Sequence, residues 1–405
     1  MNKNISLEEA QSLLFERCMP VSRETINLSD ALGRVLSENI IAKENIPPFA
    51  RSPFDGYAFR AEDTSKASKG NPVILEVIEE VPAGSYPRES VVSGKAVKIL
   101  TGAPIPEGAD AVIKYEETEV NGNLVSIFSS FKSGENVVPA GEDVAMDEMI
   151  APKGMVVSPP IIGLMAALGI SQVPVYKRPK IAIISTGDEL LDISEPLRPG
   201  MIRNSNSYTL AAYCREIGAD PVILGTVGDR VEDVGAMIQR GLDEADMVIS
   251  TGGVSVGDYD VVGEAVSSIG AETLYWKIET KPGSPNLAAV KDDKVILSLS
   301  GNPAAALVIF HLLGVSFIKK LAGYTDYLLP QIEVKLKHNF RKASPRRRFL
   351  RGKLVIENGT AWMEMTGGQG NGVLRSLVGC NLLAEIPAGS EPQPAGSKLK
   401  AYLLQ

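Results

Sequence analysis

The chain has 405 residues, 44% of them apolar, and a formal net charge of −8; at roughly 150 residues per domain that length holds about two to four domains, each with its own core. The acidic balance argues against general binding to a nucleic-acid backbone. Three scattered cysteines, Cys18, Cys214 and Cys380, exclude a dense disulfide framework or a cysteine zinc site and fit a reducing, cytoplasmic setting.

In chain order, residues 1–45 read as helical. Ser6-Leu7-Glu8-Glu9 forms a capping box ahead of an apolar run rather than a signal peptide, and a second helix is expected over Ser29–Leu36, with Leu32, Val35 and Leu36 on one side. From Ile46 to about residue 146 the texture turns to short β-rich runs, at Val73–Val81, Ala96–Leu100 and Ala111–Val120, followed by an Asn121-Gly122 hairpin signal before Leu124–Phe128. Helical character returns between Pro160 and Gly169, so residues 46–146 read as a β-domain inserted into a unit made of 1–45 and 147–177.

Over 178–328 strands and helices alternate: strands at Lys180–Ser185, Pro221–Gly225, Met247–Ser250, Thr273–Ile278 and Lys294–Leu299, and helices at Ser207–Ile217, Val231–Glu244, after Asp260 and from Pro303. Such alternation builds a mainly parallel sheet covered on both faces, with ligands at the carboxyl ends of the strands. Residues 329–405 are again strand-like, with an Asn358-Gly359 hairpin and a closing run Lys398–Leu404, and read as a small β-barrel or sandwich. The whole is multidomain α/β plus β: a central doubly wound α/β domain, an inserted β-rich domain, a helical N-terminal segment and a C-terminal β-domain. Gly154–Tyr176 and Val295–Ile318 are uncharged and long, but prolines, glycines and the turn Ser300-Gly301-Asn302-Pro303 interrupt them, so no membrane span is expected.

Three strand ends carry small-residue turns: Thr186-Gly187, Gly252-Gly253 running on to Ser255, and Gly301-Asn302-Pro303. Glycines permit close backbone approach, and a helix N-terminus behind Pro303 adds partial positive charge, so these residues are the candidates for receiving a phosphate-bearing ligand. Neither the Walker loop nor the dinucleotide fingerprint follows a strand here. Asp188, Glu189, Asp229, Asp258 and Asp260 fall on the same edge; acids beside phosphate call for a cation, and Mg²⁺ suits hard carboxylate oxygens, while helix capping is the plainer use of any one of them. Lys277 and Lys281, four apart before Pro282-Gly283, read as clamps for an oxyanion or, more plainly, as an exposed edge. The run His338–Lys353 holds seven basic residues and no acid and reads as a solvated strand face ahead of an anion site. His311 and His338, the only histidines, read as structural.

Asp55-Gly56-Tyr57-Ala58, Thr101-Gly102-Ala103-Pro104, Ser185 to Leu190, Thr251 to Gly257 and Lys277 to Gly283 together resemble the molybdopterin molybdenumtransferase family, across nearly the whole chain and in order. The resemblance implies an enzyme that takes adenylated molybdopterin and molybdate, inserts the metal and releases AMP with Mg²⁺. It implies catalytic roles for Asp55, Thr101, Glu189, Asp229, Asp260, Lys277 and Lys281, with Glu189, Asp229 and Asp260 around the metal. It also implies a homodimer whose Asp55 and Thr101 serve the partner's site, and a transient contact with the molybdopterin adenylyltransferase. The chain departs from the family pattern at Ser284, where a third lysine is usual, at Ser300, at Phe54 and at Asn204. Adenylyltransferase-type chemistry and a non-catalytic molybdopterin-binding scaffold are the alternatives.

Overall fold

A computed structural model describes residues 2–254 and 261–404. Among these, a seven-stranded sheet runs in the order Asn2–Ile5, Glu272–Ile278, Leu287–Lys291, Lys294–Leu299, Met247–Thr251, Lys180–Thr186, Asp220–Val227. Every strand is parallel to the rest except Leu287–Lys291, which runs against both neighbours. The central strands are apolar on both faces because both faces are covered. Ile181 and Ile183 enter one core with the helices Leu7–Glu16, Asn206–Glu216 and the one starting at Pro303, while Ala182 and Ile184 enter the other with Val231–Glu244 and Val261–Ser268. Register places Ile183 beside Ile249, and Ile249 beside Leu297, at mid-sheet. The helical stretch Pro303–Leu321 is long and apolar enough to cross a membrane, yet it is the buried core helix of this layer.

Two expectations for the N-terminal segment are corrected. Residues 2–5 form an edge strand of the α/β sheet, with Ile5 beside Ile278, and Leu7, Ala10 and Leu14 of the first helix sink into the same core. Over Ser29–Leu36 no helix forms: a single 3₁₀ turn at Leu28–Asp30 is followed by Gly33 at φ +73°, and Val35 and Leu36 instead bridge to Val156 and Val175. Leu32, assigned to the apolar side of that helix, is 56% exposed. Arg23–Asn27 pairs with Gln172–Tyr176, and Ile40–Ile41 with Met149–Ala151, around a core that includes Leu36, Ile161 and Met165.

Between those pairings the chain folds into a six-stranded mixed sheet in the order Ala111–Lys114, Gly56–Phe59, Lys95–Ile99, Val73–Val81, Leu124–Ile127, Thr118–Asn121. The run expected at 111–120 is split by a 3₁₀ turn at Tyr115–Glu117, and the Asn121-Gly122 hairpin forms with Gly122 at φ +63°. At the C-terminus Arg347–Glu357, Thr360–Met365, Gln331–Leu336, Lys398–Leu403 and Leu382–Ile386 close into a five-stranded barrel, with the first and last paired. Barrel closure removes the exposed edges that an open sheet would leave.

Candidate active site

Because the strands are parallel, the turns after Thr186, Val227, Thr251, Leu299 and Ile278 line one edge of the sheet. The glycines there answer to contact as well as to conformation. Gly252, at φ +93°, lies so close to the neighbouring strand end that a Cβ would stand 2.2 Å from the Thr186 carbonyl oxygen; a Cβ on Gly253, at φ +64°, would stand 2.8 Å from Thr186 Oγ1. Gly301 faces Gly252 in turn, at 3.5 Å from its would-be Cβ to the Gly252 Cα, so the three turns expected to receive phosphate lie against one another. Thr186, Glu189, Asn204, Asn206, Thr251 and Gly301 line the cleft they border.

Beneath the cleft is a buried polar network. Ser185 Oγ meets Ser207 Oγ at 2.8 Å, Thr251 Oγ1 at 3.1 Å and Asn204 Oδ1 at 3.2 Å, and Asn206 Nδ2 donates to Gly301 O at 2.9 Å. Asn204 and Asn206, in the turn where the chain departs from the family pattern, thus tie the Asn206–Glu216 helix to the strand ends. Thr186 Oγ1 and Asn206 Oδ1 are buried without a protein partner.

The acids gather at the ends of two adjacent strands. Asp188 Oδ1 accepts a long hydrogen bond from the Asp229 N–H at 3.4 Å, and the Asp229 carboxyl is pushed above its ordinary value, first by burial and then by the negative charges of Asp188 and Glu189. None of the three has an ion-pair partner among the described residues. Like charges left together without a counter-charge, all hard oxygen donors, fit a divalent cation such as Mg²⁺. The described residues do not by themselves complete a group of three placed as metal ligands. Ser255, Asp258 and Asp260 lie outside the described residues.

At the far side of the same edge, the turn after Ile278 is knitted by Asn286, whose side-chain amide donates to Gly283 O at 2.9 Å and Ser284 O at 3.2 Å. The main-chain carbonyl of Asn286 accepts the Lys277 N–H at 2.8 Å. Gly283, at φ +89°, abuts the core helix, where a Cβ would meet Ile309 Cγ1 at 2.2 Å. Lys281 is exposed, and Thr280–Lys281 pairs in parallel with Arg347 and Arg348 of the barrel.

That pairing corrects the reading of the basic run as a solvated face. Arg341, Lys342, Arg346 and Lys353 are exposed, but Arg347 is clamped by Glu8 and Glu385 at 2.7 and 2.8 Å, and Arg348 and Arg351 are buried. Arg351 Nε donates to Ser376 Oγ at 2.6 Å and Nη2 to the carbonyls of Gly368 and Gly370 at 3.1 and 3.0 Å, leaving Nη1 buried without a partner. Nothing in a run of seven bases marks which ones are inside. The loop holding Arg351 docks on the start of the core helix, where the Ala305 N–H donates to Asn371 O at 3.1 Å.

Asp55 and Thr101 meet on the inserted sheet. Asp55 Oδ1 accepts from both the N–H and the hydroxyl of Thr101 at 2.7 Å, the backbone bond foremost in holding the Asp55 carboxyl below its usual range. Both side chains are exposed, and among the described residues no hydrogen bond or ion pair links them to the strand-end turns of the α/β sheet. His311 is the core histidine expected, edge-on to Tyr213 at 4.6 Å, and burial pushes its pKa down to about 4.

Three family descriptions match in order: the MoeA N-terminal region (domains I and II) over residues 5–169, the probable molybdopterin binding domain over 182–320, and the MoeA C-terminal region (domain IV) over 333–404. The molybdopterin molybdenumtransferase of Staphylococcus epidermidis is 34% identical over 401 residues, covering 99% of this chain and 96% of that one, and the one of Bacillus subtilis is 37% identical over 387 residues, covering 94% and 90%. A solved molybdopterin biosynthesis MoeA protein of Pyrococcus horikoshii OT3 superposes with a TM-score of 0.84 at 32% identity, covering 99% of this chain and 100% of that chain. With all three family regions matched in order and both sequence and fold alike over nearly the whole chain, the chain belongs to the molybdopterin molybdenumtransferase family of enzymes.

Proposed function

We propose that this protein inserts molybdenum from molybdate into adenylated molybdopterin, releasing AMP, in the cytoplasm. The observation that carries the reading is the arrangement along one sheet edge of mutually packed glycine turns, an acid cluster beside them and a lysine turn at the far side. Four strand-to-strand steps separate Thr186 from Lys277, roughly 19 Å at about 4.8 Å per step. An elongated substrate lying along that edge has its phosphates at one end and its metal-accepting sulfurs towards the other.

In this reading Thr186, Gly187, Gly252, Gly253, Ser255, Gly301, Asn302 and Pro303 receive the phosphates, through the close approach the glycine turns allow, short side chains and the helix N-terminus behind Pro303. Glu189, Asp229 and Asp260 would hold Mg²⁺, which when bound offsets the charge of the pyrophosphate link. Lys277 and Lys281 attract the molybdate dianion, and the buried Arg351 adds a fixed positive charge beneath the neighbouring loop. Asp55 and Thr101 complete the site of a second subunit in a homodimer. The cross-strand pair Ile41 and Met149, 40% and 52% exposed, with Met146 close in sequence at 59%, gives such a dimer apolar surface to cover. Adenylated substrate arrives by transient contact with the molybdopterin adenylyltransferase.

The test is chromatographic measurement of AMP released from adenylated molybdopterin with and without molybdate, at several Mg²⁺ concentrations. Molybdate-dependent and Mg²⁺-dependent release is the expected result. AMP release indifferent to molybdate would refute the transferase reading, and no release at all would leave a binding protein.

A further inference from the structure

Seven non-glycine residues among those described have a clearly positive φ, and six are Asn or Asp, which tolerate it. The seventh is Lys277, at φ +70°. A lysine gains nothing by itself from the left-handed region, so the surroundings must impose the conformation. In a regular strand the side chains of residues 276 and 277 would point to opposite faces. The left-handed turn breaks that alternation and lays the Lys277 ammonium over the ring of its own predecessor, with Nζ 3.8 Å from the Trp276 ring centroid. Trp276 is packed against the core formed by residues such as Ile184, Val254 and Val262, so the ring is a fixed platform. The backbone of Lys277 is fixed as well, by the hydrogen bond to the carbonyl of the fully buried Asn286.

We propose that Trp276 is a positioning residue, whose indole face holds the Lys277 ammonium at the strand end, aimed for oxyanion capture. The inference rests on the reading of Lys277 as an oxyanion-attracting lysine. Without the ring, a side chain with four rotatable bonds swings into solvent, and its charge is spread over many positions instead of one. A cation–π contact is an attraction a merely apolar side chain of similar bulk cannot supply.

The experiment is calorimetric titration of the full-length protein with sodium molybdate at low ionic strength, for the parent chain, Trp276→Phe, Trp276→Leu, Lys277→Ala and the double variant Trp276→Leu/Lys277→Ala. Melting temperatures confirm the folded state, and Trp276→Met replaces Trp276→Leu if that variant does not fold. Lys277→Ala is expected to weaken molybdate binding, Trp276→Leu to weaken it by about fivefold, and Trp276→Phe by no more than about twofold. In the Lys277→Ala background the change at 276 should have no further effect, because the tryptophan acts through the lysine. Equal losses for Trp276→Phe and Trp276→Leu, or a loss from Trp276→Leu that persists without Lys277, would overturn the proposal in favour of plain packing. If Lys277→Ala weakens binding while Trp276→Leu leaves it intact, the positioning role alone falls. An unchanged affinity in Lys277→Ala overturns the reading of the lysine, and the positioning role with it.

Discussion

Adding one methyl group at Gly252 tests whether close packing of the strand-end turns is what makes the site. In Gly252→Ala the new Cβ lies 2.2 Å from the Thr186 carbonyl oxygen and 2.8 Å from its hydroxyl. Relief requires the two turns to part by about 1 Å, since carbon and oxygen do not approach within roughly 3 Å in a close-packed interior. The backbone also stays at φ +93°, which costs an L-residue about 1–2 kcal/mol. Together these predict a loss of about 2–4 kcal/mol. Two controls separate the contributions. Gly270, at φ +75°, has nothing within 4 Å of its would-be Cβ, so Gly270→Ala carries only the conformational cost. Gly108, at φ +86°, would place its Cβ 2.3 Å from the Val91 carbonyl oxygen, so Gly108→Ala carries a comparable clash on the inserted sheet. Denaturant unfolding should rank Gly252→Ala and Gly108→Ala together, well below Gly270→Ala. AMP release per folded molecule should fall by at least tenfold only in Gly252→Ala. If that variant is destabilised yet turns over like the parent chain, the turns are structural and the phosphate site lies elsewhere.

Three further outcomes follow from the same geometry. Mixing Asp55→Ala subunits with Glu189→Gln subunits should restore AMP release that neither homodimer shows; heterodimers verified by native mass spectrometry but still inactive would refute a shared site. The Asp229 carboxyl is raised in the folded state, so its contribution to stability is fully present below its unfolded value and is lost as pH rises through the folded one. At neutral pH without Mg²⁺, Asp229→Asn should therefore melt higher than the parent chain, the advantage should vanish at low pH, and added Mg²⁺ should stabilise the parent more than the variant; an advantage independent of pH would sink the charge-crowding account. Ser284 lines a cleft with Arg346, Arg347 and Lys400 but also Glu8, Glu279 and Glu385, so Ser284→Lys should tighten molybdate binding by about tenfold rather than more and steepen its salt dependence, and an unchanged affinity at low salt, read by titration, would show that position 284 does not face the oxyanion.

The legible parts of the sequence are those where local chemistry and tertiary structure agree. Asn121-Gly122 makes its hairpin because positive φ is what those residues accept, and the all-apolar runs at 181–184 and 295–297 are strands buried on both faces because no polar side chain needs an exit. Residues 2–5 escape notice because Asn-Lys-Asn carries no strand signal; the edge is made by pairing with Glu272–Ile278. Leu32, Val35 and Leu36 imitate a helical stripe, but the tertiary bridges to Val156 and Val175 win over a period counted on three residues. Leu287–Lys291 escapes too, a short run with little β-branching that is a strand only between its two neighbours.

The strand-end glycines are legible as turns, since contact and conformation both demand them. The charged residues do not sort themselves in this way. Arg347 and Arg351 look alike in the sequence, yet Arg347 is neutralised by Glu8 and Glu385 while Arg351 keeps a guanidinium nitrogen that the protein leaves unsatisfied. Asp188, Glu189 and Asp229 are likewise left without a cation among the described residues. Had these acids stood beside Lys277 and Lys281, the two sets would have paired, as Arg347 does, and neither could take the role proposed for it. Three intervening strands keep Asp188 and Glu189, and four keep Asp229, apart from the lysines along one edge. An uncompensated charge of each sign costs stability in the free protein, and a cation at one end with an oxyanion at the other would repay that cost at both ends simultaneously.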